Sequence, residues 1–277
     1  ESIARLIHER GVKRPIEIIP TGIDFEFFRQ GRGDRFRKRF GVSEDARVIG
    51  HLGRLAPEKN LGYLAEAVAL AMQQDEEAWF LVVGDGPSEA DIRKIFEKAG
   101  LSGRMVMAGK QTGENLRDAY HAMDLFAFAS KSETQGMVLA EAMAAGAPVI
   151  ALDAPGAREV VQDGENGRLL AESADTKAFA EAVSACLVDS DSAEKMRLSA
   201  TETAKAFSRE NSVQKIIQLY KRIREKEFEH LPSPLPEAII PWDSLQRAIK
   251  AEWELLSQKA TAFVKTVQVP PGQSEKE

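Results

Sequence analysis

The chain of 277 residues has a single cysteine, only three tryptophans and three tyrosines, and no apolar run near the roughly 18 residues that a membrane-spanning helix needs. With only Cys186, no disulfide can form within the chain, so a reducing compartment, the cytoplasm, is expected. Cys186 shares helical spacing with Phe179 and Val183 and is expected to be a core thiol. A basic excess is missing too: 37 Lys and Arg stand against 43 Asp and Glu, a formal net charge of -6. That excludes nucleic-acid binding by bulk electrostatics, and any anion must be held locally. The G-x-x-x-x-G-K-[ST] pattern is absent, which excludes a Walker-type hydrolase. No Asp, Glu, His or Cys cluster has metal-ligand spacing, so no metal is expected. Nothing resembles a signal peptide. The first residue, Glu1, already sits in a helical pattern, ESIARLIHERG, so a piece of something longer is expected.

What is present is 43% hydrophobic residues, enough for a sizeable core, arranged as short β-branched runs alternating with amphipathic segments. Strands are expected at 48–52, 79–83, 105–108, 125–129, 149–152 and 167–170. Helices are expected between and after them at 61–73, 90–99, 114–122, 138–145 and 176–188. The alternation predicts an α/β fold: a parallel sheet of about six strands with helices on both faces. Several strands run into glycine-bearing loops ahead of a helix, so any ligand crevice belongs at the C-terminal edge of the sheet. Residues 194–229 continue as one or two helices. Four prolines then mark 230–241 as a linker, and Trp242, Leu245, Ile249, Trp253, Leu256, Ala260, Phe263 and Val267 give an amphipathic helix over 242–269. The tail at 270–277 is expected to be disordered.

Three loops compete for an anion. VVGDGPSEA carries Gly84 and Gly86 but lacks the third glycine and the distal acid of a dinucleotide site, so its glycines serve a tight turn. HLGRLAPEKN carries Arg54 and Lys59 beside a helix start at Pro57 and Glu58. These are either two solvated charges or two cations converging on a diphosphate. His51, at the end of the same strand, either touches ligand or is a satisfied buried imidazole; His8, His121 and His230 are structural or exposed.

The third loop, KSETQG, precedes the helix of SETQGMVLAEAMAAG, where the N–H groups of Gly136, Met137 and Val138 are free for an anion or hydroxyl. Glu133 lies just outside that helix and Glu141 eight positions on, near the face of Met137. Glu133 either complements the helix dipole or meets a ligand. Glu141 is either solvated or, in a helix this apolar, in need of a partner, which a ligand hydroxyl would supply.

Taken in order, IPTGID (19–24), GRLAPEKN (53–60), VVGDGP (82–87), MAGK (107–110), SETQGMVLAEAMAAGAPVIA (132–151) and GAREVVQDGENGRLL (156–170) resemble the C-terminal domain of glycosyltransferase family 4, retaining enzymes of the GT-B fold. The resemblance covers roughly 15–225 and implies a Rossmann-like half of that fold. It implies a nucleotide-diphosphate sugar, UDP- or GDP-linked, as donor, with no cofactor. Arg54 and Lys59, next to Gly53, would hold the diphosphate. Gly136, Met137 and Val138 would contact phosphate and sugar oxygens. The Gly109–Lys110 turn would lie against the base, and Glu141 would accept from the ribose. Glu133 would sit beside the sugar and favour its oxocarbenium-like transition state, with Gln135 in the same donor loop; Glu133, Arg54 and Lys59 form the implied catalytic set.

The resemblance further implies that 1–20 is the hinge helix and entry strand left from a missing N-terminal domain, that 21–229 is the donor domain, and that the fragment is inactive alone. The ETQG variant resembles that of diacylglycerol glucosyltransferases and related lipid-modifying members, so a lipid or a saccharide acceptor fits, with peripheral membrane contact compatible. Yet the 242–269 segment has nearly balanced charge, which favours docking on protein over an interfacial helix. The alternative class is a nucleotide-sugar-binding or interaction domain without catalysis.

Overall fold

The computed structural model describes residues 2–188 and 190–229; the expected linker, amphipathic helix and tail lie outside them, as does His230. Residues up to Tyr220 form one compact unit, and those from Lys221 on form a second, of which only the end of one helix is described.

The chain opens with α1 (Ser2–Glu9), α2 (Phe25–Phe28) and α3 (Gly33–Phe40). Strands and helices then alternate: β1 (Arg47–Leu52), α4 (Leu61–Gln73), β2 (Ala78–Val83), α5 (Glu89–Lys98), β3 (Met105–Met107), α6 (Gly113–His121), β4 (Leu125–Phe128), α7 (Met137–Ala144), β5 (Val149–Leu152), α8 (Pro155–Arg158) and β6 (Gly167–Leu170). The last described helices are α9 (Thr176–Val188), α10 (Ser190–Ala206) and α11 (Arg209–Glu229). The strands and helices expected between 48 and 188 form within a residue of their predicted ends, while the first helix of 194–229 begins four residues earlier than expected, at Ser190. All strand pairs are parallel, and the order β3-β2-β1-β4-β5-β6 makes one six-stranded Rossmann-like sheet.

Strand alternation splits the core in two. Val48, Leu81, Phe126, Phe128 and Val149 face Phe36 of α3, Tyr120 of α6, Leu139 and Met143 of α7 and Ala200 of α10. Ile49, Phe80, Leu125, Ala127 and Ile150 face Leu64 and Val68 of α4, Ile92 and Phe96 of α5 and Phe179 of α9. β4 and β5 are buried at every residue, which is why they spell unbroken apolar runs. Cys186 packs against the second cluster but is only partly buried, so it is a margin thiol rather than the expected core thiol.

The expected entry strand does not form. Of IPTGID only Ile23 makes a single bridge, to Ser208, with Ile23 N–H donating to the Phe207 carbonyl at 2.8 Å. Pro20 has no N–H to give a ladder, and Gly22 at φ 81° turns the chain out of extended conformation. The motif instead ties this segment to the α10–α11 junction, and Asp24 caps α2 by accepting from the Phe27 N–H at 3.1 Å.

Candidate functional site

From β1 the chain winds outward through β2 to β3; from β4 it winds the other way through β5 to β6. The reversal lies between β1 and β4, and in such sheets a crevice opens beyond the C-terminal ends of the strands at that point. The loop after β1 carries Arg54 and Lys59, and the loop after β4 carries Glu133. Topology therefore brings together residues about eighty positions apart in sequence.

The β1–α4 loop is shaped by a 3-10 turn at Pro57–Lys59, with Pro57 at its start, and by Asn60 in the left-handed region at φ 55°. Asn60 donates its side-chain amide to the Ala129 carbonyl at 3.3 Å, which joins this loop to the end of β4. Lys59 Nζ reaches Glu133 Oε2 at 3.0 Å, with the two side chains only 20% and 19% exposed. Arg54 pairs with Glu58 on the same loop and stays largely exposed.

In the β4–α7 loop, Gly136 caps α7 at φ 67°, and a Cβ there would stand 2.5 Å from the Gly156 carbonyl oxygen. Only glycine meets both conditions without strain. Burial by itself would raise the Glu133 carboxyl, but the hydrogen bond and charge of Lys59, with the Thr134 and Gly136 N–H groups, outweigh it and hold the group below its ordinary value. Glu133 is thus an ionised carboxylate held by a lysine and two backbone donors, the partners that an external anion would also use.

Two neighbouring cavities flank these groups. The first, about 320 Å³, is lined by His51, Leu52, Gly53, Arg54, Lys59, Phe128, Glu133 and Val138. The second, about 290 Å³, shares Leu52, Gly53 and Arg54 with it and adds Val83, Gly84, Asp85, Lys110, Gln111 and Leu116. Gly84, at φ 132°, passes so close to the Gly53 carbonyl that any side chain would collide with it, and its N–H donates to the Gly109 carbonyl at 2.9 Å. Gly109 therefore supports the second cavity while Lys110 lines it.

Two expected contacts turn elsewhere. Glu141 lines neither cavity; its Oε2 accepts from the Tyr120 hydroxyl at 2.7 Å, so its partner is a fully buried tyrosine on α6. Burial raises the Glu141 carboxyl, against the Tyr120 hydrogen bond and the Arg209 charge. The two glutamates are not brought onto one cavity, and Glu141 is only partly exposed. Gln135 also lines neither cavity: its side-chain oxygen accepts from the Thr21 hydroxyl at 2.8 Å and the Thr21 N–H at 3.3 Å. Gly136 and Met137 form the start of α7 behind Val138, which alone of the three lines the first cavity.

His51 is 1% exposed and stacks near Phe126 and Phe128 at 6.2 and 6.3 Å between ring centroids. Its Nδ1 lies 3.1 Å from the Ala127 carbonyl, while Nε2 is buried with no hydrogen-bond partner. Burial, helped by the charge of Lys59 and opposed by the Ala127 carbonyl, pushes the imidazole down to about 4, so it is neutral at pH 7. Neither sequence alternative anticipated this: the ring is buried but not satisfied. Gln111, Asp85 and Leu116 were not anticipated either; they become neighbours of the site only through the β2 and β3 pairing. Among the described residues, no group of three or more His, Cys, Asp and Glu is placed to hold a metal ion. Nor is any described helix long and apolar enough to cross a membrane.

A doubly wound parallel sheet with a cation-bearing crevice at its switch point defines a Rossmann-like α/β protein. The chain belongs to the glycosyl transferases group 1 family, whose model matches residues 33–203. It is 30% identical over 228 residues to a D-inositol 3-phosphate glycosyltransferase of Nocardia farcinica, covering 79% of this chain and 50% of that protein. A 2-deoxystreptamine glucosyltransferase of Streptomyces kanamyceticus is 34% identical over 152 residues, 54% of this chain and 39% of the relative. The chain thus spans about half or less of the length of these curated relatives. Among solved structures, Anabaena Alr3699/HepE in complex with UDP and glucose, a GT-B neighbour, is similar with a TM-score of 0.70 at 26% identity, over 80% of this chain and 61% of that one.

Proposed function

We propose that this chain is the C-terminal, donor-binding domain of a retaining family 4 glycosyltransferase, and that the two neighbouring cavities hold a nucleotide-diphosphate sugar. The observation that carries this reading is the convergence of Arg54, Lys59 and Glu133 on one cavity that shares Leu52, Gly53 and Arg54 with a neighbouring one lined by Lys110. The sugar and diphosphate would fill the first cavity and the base the second. Lys59 would meet a phosphate oxygen as a point charge and Arg54 would fork across two, each leaving its present carboxylate partner. The N–H groups of Gly136, Met137 and Val138 would add fixed donors at the start of α7. UDP is favoured among the bases by the ligands of the Anabaena protein.

In the transfer step the bond between the anomeric carbon and the diphosphate oxygen breaks and negative charge grows on the leaving oxygen, where Arg54, Lys59 and the α7 donors stabilise it. Positive charge grows on the sugar ring, which the Glu133 carboxylate faces. The acceptor hydroxyl bonds to the anomeric carbon on the face that the diphosphate leaves, and its proton passes to the departing phosphate oxygen, so configuration is retained. Glu141 lines neither cavity, so to take the ribose hydroxyls it would use the carboxylate oxygen that Tyr120 leaves unbonded, with the ribose reaching past the cavity edge. A further N-terminal domain would supply the acceptor wall, for a lipid or saccharide hydroxyl. The chain alone would bind donor and turn nothing over, so sugar transfer by it in isolation would refute that part.

Thermal unfolding with UDP, GDP, ADP and their sugars tests the reading. At 100 times its dissociation constant a ligand adds about 2.7 kcal/mol. A rise in Tm with one nucleotide, cut to about half by a tenfold weaker affinity in Arg54→Ala and reduced in Glu141→Ala, is the expected result; an undiminished rise in both variants would overturn the site assignment.

A further inference from the structure

Of the polar side chains that line the first cavity, only His51 has no part in the donor reading. The Ala127 carbonyl can only accept, so His51 Nδ1, 3.1 Å away, carries the ring hydrogen and Nε2 keeps its lone pair. That lone pair is buried and unpartnered, in a residue that lines the cavity. It lies near Gly53, where a Cβ would stand 3.9 Å from it, so residue 53 puts no side chain over this spot. An unpaired buried acceptor is costly, and native structures rarely keep one without a ligand or water to serve it.

The lone pair also discriminates. Diphosphate oxygens carry no hydrogen and would be repelled by it, whereas Arg54 and Lys59 attract them. The base would occupy the other cavity, which His51 does not line. A group that donates is required here, and in a nucleotide-sugar the first cavity offers the sugar hydroxyls. We propose that His51 Nε2 accepts a hydrogen bond from a hydroxyl of the donor sugar, so that the floor of the first cavity reads the sugar rather than the diphosphate. This rests on the donor-site reading above and names a sugar contact within it.

The test uses the whole chain with UDP and UDP-glucose as probes. In ¹⁵N-histidine spectra of the wild type, the His51 Nε2 resonance is expected at the unprotonated position in the free protein, to move when UDP-glucose binds, and to stay nearly fixed with UDP. Calorimetry should show UDP-glucose binding more tightly than UDP, with about fivefold or more of that advantage lost in His51→Phe while UDP affinity is kept. A resonance that UDP moves as much as UDP-glucose, or that neither moves although both bind, overturns the proposal; so does a free protein protonated at Nε2. The wild-type spectra keep the test valid if His51→Phe fails to fold. If neither probe binds, the donor-site reading itself falls and this contact with it, an outcome distinct from binding without a His51 response.

Discussion

Burying a neutral imidazole ties stability to pH in a window set by His51. Its ordinary value is 6.5 and its folded value about 4, because burial penalises the imidazolium and Lys59 repels it. Between these values the unfolded chain binds a proton that the folded protein refuses, so stability is full above pH 6.5 and falls as pH drops toward 4. At about 1.4 kcal/mol per pH unit the loss is about 3 kcal/mol, a large share of a domain's typical reserve. Protonation at Nε2 would also create a buried donor with no acceptor beside it. Urea unfolding of wild type and His51→Phe from pH 7 to pH 4 measures this. Phenylalanine keeps the ring against Phe126 and Phe128 but does not titrate, and carboxylates that titrate in both proteins cancel in the difference. The wild type should lose about 3 kcal/mol more than the variant across that range. Parallel profiles would mean that His51 keeps its ordinary affinity for protons, and would refute the neutral cavity floor.

Other substitutions separate scaffold from site. Gly136→Ala places a β-carbon 2.5 Å from the Gly156 carbonyl at φ 67° and should lower unfolding stability by about 1–3 kcal/mol in urea titrations. Tyr120→Phe should cost about 1.5–3 kcal/mol at pH 7, with a smaller loss in a Glu141→Gln background; equal losses in both would show that the hydroxyl does not serve the carboxylate. Arg54→Ala, at a side chain 69% exposed, should leave stability within about 0.5 kcal/mol of wild type while weakening UDP binding about tenfold by calorimetry. Gln135→Leu should speed amide exchange at Thr21 without a comparable effect on β1.

The sheet was legible because its physics is local: strands buried on both faces spell continuous apolar runs, and β4 and β5 show this most plainly. The entry strand that the resemblance implied does not form at IPTGID, because Pro20 and the positive φ of Gly22 break a ladder there. In the site, residue types were readable and partners were not. Arg54, Lys59 and Glu133 marked themselves as charges on loops at strand ends, and the switch point brings Lys59 to Glu133 at 3.0 Å. Glu141 needed a partner, as its apolar helix implied, but whether that is a ligand or Tyr120 depends on how α6 packs on α7, which no spacing within SETQGMVLAEAMAAG encodes.

His51 shows the same limit from the other side. Its burial followed from its place in a central strand, but which ring nitrogen carries the hydrogen is fixed by the Ala127 carbonyl of the neighbouring strand. Register therefore decides a chemical property: in β1–β4 pairing, Ile49 opposite Leu125 brings His51 level with Ala127. A slip by one residue would move the ring off that carbonyl, free the tautomer, and remove the fixed acceptor near Gly53. The chemistry of the cavity floor is in this sense a consequence of strand register, and the sequence of β1 alone cannot state it.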